Sequence, residues 1–224
     1  LNPRDAPNQG AVGSGGVASR RSTSRVVLLR CGLVAGPLFV VTFLLEGAFK
    51  GSGYDALRHP VSSLELGSHG WIQVANFLVA GVLTIAFATG VWRSGHRSGG
   101  VLIGVWGAGL IGAGLFTTDP VNGFPLNTPD VAAYTTSGAL HDGFSLPGFL
   151  ALAVAQLVLC RGGWKWLTYS LLSATAYVVC FGLTSSAFNQ TAGLIAVGGL
   201  FQRITVTIGW AYTVALAIRL LRRS

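Results

Sequence analysis

Six long apolar runs divide the chain. They cover Val26–Phe49, Trp71–Trp92, Val101–Thr118, Leu140–Cys160, Leu167–Phe188 and Leu194–Arg219. Each is near the ~20 residues that a helix needs to cross ~30 Å of hydrocarbon. The runs are too long for strands and lack their alternation. A helix bonds its backbone groups within itself, which lipid demands. The pattern therefore predicts an all-α membrane protein, a six-helix transmembrane bundle.

The stretch ahead of the first run is different. Residues 1–24 are rich in Gly, Ser, Asn and Pro and carry Arg20 and Arg21 near their end, with Arg25 following. This reads as a disordered basic tail before a six-span domain at 25–224. The first run exceeds the ~7–15 residues of a signal-peptide core, so it is expected to stay as a helix.

Composition agrees with lipid as solvent. The chain is 51% hydrophobic and only 10% charged, with a mean hydropathy of +0.60. Soluble domains carry about 25% charged residues. Cys31, Cys160 and Cys180 lie in or beside apolar runs without metal-ligand spacing, as small apolar residues do. Trp71, Trp92, Trp164 and Trp166 mark span ends, whereas Trp106 and Trp210 fall within spans as packing residues. In the third run Gly104, Ala108 and Gly112 recur at a spacing of four, which suits close helix packing.

The net charge of +8 would suit a nucleic-acid partner, but its distribution points elsewhere. Arg20, Arg21 and Arg25, then Arg93 and Arg97, Arg161 and Lys165, and Arg219, Arg222 and Arg223 all fall on one side of six crossings. The opposite loops hold the acids Asp55, Glu65, Asp119 and Asp130, with Lys50 and Arg58. The positive-inside rule then places both termini in the cytoplasm, and the plasma membrane is the expected location. Membrane lipids with anionic headgroups are the expected partners of the basic face, and no nucleic acid is needed. Arginine far outnumbers lysine, the usage of a GC-rich bacterial genome.

This topology gathers the chemically interesting residues on the outer side. The first outer loop, RHPVSSLELGSHG, holds Arg58, His59, Ser62, Ser63, Glu65 and His69, and Glu46 reaches it from the first helix. The third helix runs into Thr117, Thr118 and Asp119, and the fourth opens with His141, Asp142 and Ser145. Asp142 is expected in the first turn of that helix, where an acid favours the dipole. His141 and Ser145 share a helical face. The sixth helix carries Gln202 and Arg203. Arg203 precedes Arg219 by sixteen residues, about 24 Å of helix, which sets it inside the hydrocarbon. A charge there costs at least ~2.5–3.5 kcal/mol, so Arg203 is expected to pair with Asp119, Asp142 or Glu46.

Three elements in this order, HPVSSLELGSHGWIQVANFLVAG, GAGLFTTDPVNGFP and GALHDGFSLPGF, resemble a bacterial membrane-protein family, domain of unknown function 998, common in actinomycetes. The likeness spans about residues 26 to 220. It implies a multi-span membrane protein and no established activity.

Three functional readings follow. In the first, Arg58, His59, Asp119, His141, Asp142, Gln202 and Arg203 line an outward pocket for a lipid headgroup or small polar ligand, with arginine as the fork for phosphate or carboxylate. In the second, the protein is an intramembrane hydrolase or transferase. His141 is its base, Asp142 or Asp119 orients it, and Ser62 or Ser145 is the nucleophile. A variant gathers His59, His141 and Asp119 around a metal; no cofactor is specified. In the third, the outer polar groups bond one another and tie the helix ends together.

Overall fold

The computed structural model describes residues 14–223 except 52 and 132, and side chains from residue 23 onward. The tail expected over residues 1–24 lies mostly outside these. From Ser14 the backbone is already helical and continues into α1, Ser14–Phe49, whose apolar part is Thr23–Phe49.

Five more helices follow: α2 Trp71–Arg93, α3 Arg97–Leu115, α4 Thr136–Val158, α5 Trp164–Phe188 and α6 Gly198–Leu221. All six are long and apolar enough to cross a membrane. They close into a ring in chain order, each packing on the next and α6 returning to α1. The contact between α4 and α5 is the thinnest in the ring.

Helix boundaries differ from expectation where local chemistry overrides hydropathy. α3 stops at Leu115 rather than Thr118, because Phe116 is extended and Asp119 precedes a proline, which disfavours helix before it. α4 starts four residues before Leu140, because the Thr135 side chain caps it by accepting from the Gly138 N–H at 3.1 Å. Asp142 is therefore in the second turn. The first-turn role expected of it is corrected, and the cap is Thr135.

Glycines set the helix separations. A Cβ on Gly81 would lie 2.9 Å from the Gly107 carbonyl oxygen, and one on Gly107 would lie 3.1 Å from the Gly81 oxygen. On the other side of α3, a Cβ on Gly109 would lie 2.8 Å from the Phe144 carbonyl oxygen. α3 is thus pressed between α2 and α4 by bare backbone, the internal-packing use of small residues. Trp71, Trp92 and Trp164 are exposed at span ends, but Trp166 is buried and donates from its indole to Leu159 O at 2.7 Å.

The two ends of the bundle are unlike. The turns α2–α3 and α4–α5 are short, and their end carries Arg93, Arg97, Arg161, Lys165, Arg219, Arg222 and Arg223. The other end carries the long connections α1–α2 and α3–α4. Every acid among the described residues belongs to it: Glu46, Asp55, Glu65, Asp119, Asp130 and Asp142.

Candidate functional site

At the long-loop end the polar residues separate into a closed roof and an open cavity. The roof centres on Asn122, a buried residue in left-handed backbone (φ +57) that asparagine tolerates better than most side chains. Its amide nitrogen donates to Arg58 O at 3.2 Å, and its side-chain oxygen accepts from Gln190 Nε2 at 2.8 Å. Its carbonyl accepts from Arg58 Nε at 3.0 Å and from His59 Nε2 at 3.1 Å. One residue thereby joins all three long-end connections.

His59 has both nitrogens engaged, since Nδ1 accepts from the Asp55 N–H at 2.8 Å. That fixes the neutral tautomer. Burial holds its pKa below the usual value, with the hydrogen bond to Asn122 opposing. Arg58 reaches Asp130 Oδ1 at 2.8 Å. Asp119 is also occupied: it accepts from the Thr135 N–H at 2.8 Å and from the Thr135 hydroxyl at 2.7 Å, locking the residue that caps α4.

Arg203 has no carboxylate partner among the described residues, which corrects the expected pairing with Asp119, Asp142 or Glu46. It donates to His59 O at 2.9 Å, to Gly199 O at 3.0 Å and to the Tyr54 hydroxyl. The Tyr54 and Phe43 rings lie 5.8 and 6.0 Å from its guanidinium. Position explains this outcome. Arg203 lies only five residues into α6, so it reaches the turn carrying His59 and satisfies its donors with carbonyls.

Of those three acids, Glu46 does hold a cation. Lys50, one helical turn on, donates to Glu46 Oε1 at 3.2 Å, to Ser68 O at 3.1 Å and to Leu64 O, with both side chains buried. Sequence reading treated Lys50 only as a loop cation. The signal was present in the i, i+4 spacing Glu46–Lys50.

Glu65 is buried beneath the roof in the short 3₁₀ turn Ser62–Glu65. Its Oε2 accepts from the Thr118 N–H at 3.1 Å and lies 3.6 Å from His141 Nδ1. Its Oε1 has no partner among the described residues. Burial pushes its pKa from 4.5 up to about 8, with the Thr118 hydrogen bond opposing and the Glu46 charge adding. The folded state then retains a proton that the unfolded chain releases. This contribution to stability is full below about pH 4.5 and lost as pH rises through about 8. Glu65→Gln is expected to melt above the wild type near pH 8 in detergent and to lose that advantage toward pH 5. Parallel melting curves for the two proteins across that range would refute the assignment.

Below the roof lies a cavity of about 400 Å³, bounded mainly by α3, α4, α5 and α6 at the thin α4–α5 seam. Its loop end is polar, with Ser62, His141, Asp142, Ser145, Asn189 and Gln202. Its depth is aromatic: Phe39, Trp106, Tyr177 and Trp210, the two indoles 4.2 Å apart between centroids. From His141 to Leu152 the α4 wall runs about 16 Å along the helix.

Of the residues expected to bind a ligand, His141, Asp142 and Gln202 line this cavity, while Arg58, His59, Asp119 and Arg203 belong to the roof. His141 donates from Nδ1 to Phe116 O at 2.8 Å and Ala113 O at 3.1 Å. That leaves Nε2 to present a lone pair. Among the described residues neither Asp119 nor Asp142 hydrogen-bonds to His141, and neither does Ser62 or Ser145. No group of three or more His, Cys, Asp or Glu there is arranged to hold a metal. The variant that gathered His59, His141 and Asp119 around an ion is corrected, because both His59 nitrogens and the Asp119 carboxylate are engaged elsewhere. Sequence reading missed the aromatic half of the cavity, since Trp106 and Trp210 look like ordinary packing.

The family model described as "Protein of unknown function (DUF998)" matches residues 33–219, nearly all of the bundle. The chain belongs to the DUF998 family. No curated protein matches it, and no solved structure does. Membership makes this DUF998 chain a multi-pass membrane protein, consistent with the plasma membrane, without attaching a reaction to it.

Proposed function

We propose that this DUF998 protein binds an amphipathic small molecule, a lipid or lipid-like ligand, in the α4–α5 cavity. The observation that carries the reading is the gradient along the cavity, polar at the loop end and aromatic in its depth. Its size falls in the ~300–1,000 Å³ range of ligand pockets. The thin seam beside it supports entry from the bilayer. With the basic end taken as cytoplasmic, the polar mouth opens toward the outer leaflet, and the domain spans residues 25–224 behind a basic tail at 1–24.

The roof favours a structural role for Arg58, His59, Asp119 and Arg203, whose polar groups satisfy one another or backbone. The hydrolase or transferase alternative, with His141 as base and Asp142 or Asp119 beside it, keeps one supporting feature, the free Nε2 lone pair. Among the described residues no serine and neither Asp119 nor Asp142 is hydrogen-bonded to the ring, and Glu65 Oε2 stands 3.6 Å from Nδ1.

Filling the cavity tests the reading. Ser145→Phe projects a ring into the space from α4. Native mass spectrometry of the wild type from mild detergent is expected to show a bound small molecule, and the folded variant to have lost it. An identical complement on both proteins would overturn the proposal.

A further inference from the structure

The charge of the cavity mouth narrows the ligand class. Among the described residues Lys50, Arg58 and Arg203 are the lysines and arginines at this end, and none lines the cavity. Each is engaged elsewhere, Lys50 by Glu46, Arg58 by Asp130 and Arg203 by backbone carbonyls and Tyr54. The fork for phosphate that the sequence suggested is therefore absent from the cavity.

The acids show the complementary pattern. Glu46 meets Lys50, Asp55 accepts from the Leu57 N–H, Glu65 from Thr118, Asp119 from Thr135, and Asp130 from Arg58. Among the described residues Asp142 alone takes no hydrogen bond and no ion pair, and it lines the cavity. His141, the preceding residue, has its one N–H on backbone carbonyls and offers the cavity only an acceptor. An unpartnered carboxylate and an imidazole lone pair at the mouth, above a pocket walled by aromatic rings, form a receptor for a hydrogen-bond-donating cation. Carboxylate and ring faces both attract an ammonium. They repel a phosphate, which would find no cation to meet it.

We propose that the ligand is a lipophilic amine, with its ammonium at Asp142 and His141 and its apolar body against Trp106 and Trp210. This inference rests on the cavity reading above and adds the sign of the head group.

The test uses full-length protein in nanodiscs of zwitterionic lipid, with three probes sharing one tail: n-decylamine, n-decanol and n-decyl phosphate. Binding is followed by tryptophan fluorescence, and Ser145→Phe corrects for partitioning into the bilayer. Wild type is expected to bind decylamine at least tenfold more tightly than decanol and to show no saturable binding of decyl phosphate. Asp142 is exposed and has no hydrogen bond or ion pair, so Asp142→Asn is expected to preserve the fold and to bring decylamine down to the level of decanol. Decyl phosphate binding as tightly as the amine would overturn the inference, as would an amine preference that survives in Asp142→Asn. If all three probes bind alike, the cavity stands and the charge assignment falls. If none binds saturably, the cavity reading falls and takes this inference with it.

Discussion

Lys50→Met is expected to be the most damaging single substitution at the long-loop end, lowering stability by roughly 3–5 kcal/mol. The Lys50 and Glu46 side chains are only 2% and 4% exposed, so removing the ammonium leaves a carboxylate buried beside apolar helix. Three acceptors lose their donor together: Glu46 Oε1, Leu64 O and Ser68 O. The loss is one of charge balance as well as hydrogen bonding, which gives the prediction a second arm. Glu46→Gln combined with Lys50→Met removes the stranded charge and is expected to recover part of the stability. Thermal unfolding in detergent measures all three variants. A double variant no better than Lys50→Met would mean that the pair does not act as a unit.

The second large effect concerns the start of α4. Asp119→Ala is expected to cost about 2–4 kcal/mol, since it removes two hydrogen bonds to Thr135 and leaves the Thr135 N–H without its acceptor. Gly138→Ala attacks the same carboxylate from the other side. A Cβ there would lie 1.9 Å from Asp119 Oδ2, so the acid has to leave. Both substitutions undo one lock, and the double variant is expected to be little worse than either alone. Additive losses would show that Asp119 and Gly138 stabilise the protein separately. Because His141 and Asp142 lie in the second turn of this helix, both variants are also expected to weaken ligand binding in the cavity.

The polar outer loop makes sense in these terms. RHPVSSLELGSHG keeps part of its polarity because three of its side chains have partners on the α3–α4 connection. Arg58 and His59 meet the α3–α4 connection, and Glu65 meets Thr118. Ser62 instead faces the cavity. The same short stretch therefore supplies both roof and mouth, and its composition alone does not divide one role from the other.

What the amino-acid order determined by itself was the number of crossings, their all-helical form and the gathering of the acids at one end and most of the bases at the other. Each follows from a local sum. A run near ~20 apolar residues is driven into lipid as a helix whatever its neighbours are, and a charge between two runs falls at a known end. Pairing is not a local sum. Arg203 finds Tyr54 across 149 residues, and His59 finds Asn122 across 63. Sequence reading sought an acid for Arg203 by depth and charge, but the folded chain brought carbonyls and a phenol nearer. The tertiary structure alone decided which polar groups are satisfied and which remain open to a ligand. Hydrogen-bond capacity is finite and directional, and once Lys50, Arg58 and Arg203 have met other acceptors, Asp142 stands at the cavity without a protein partner among the described residues.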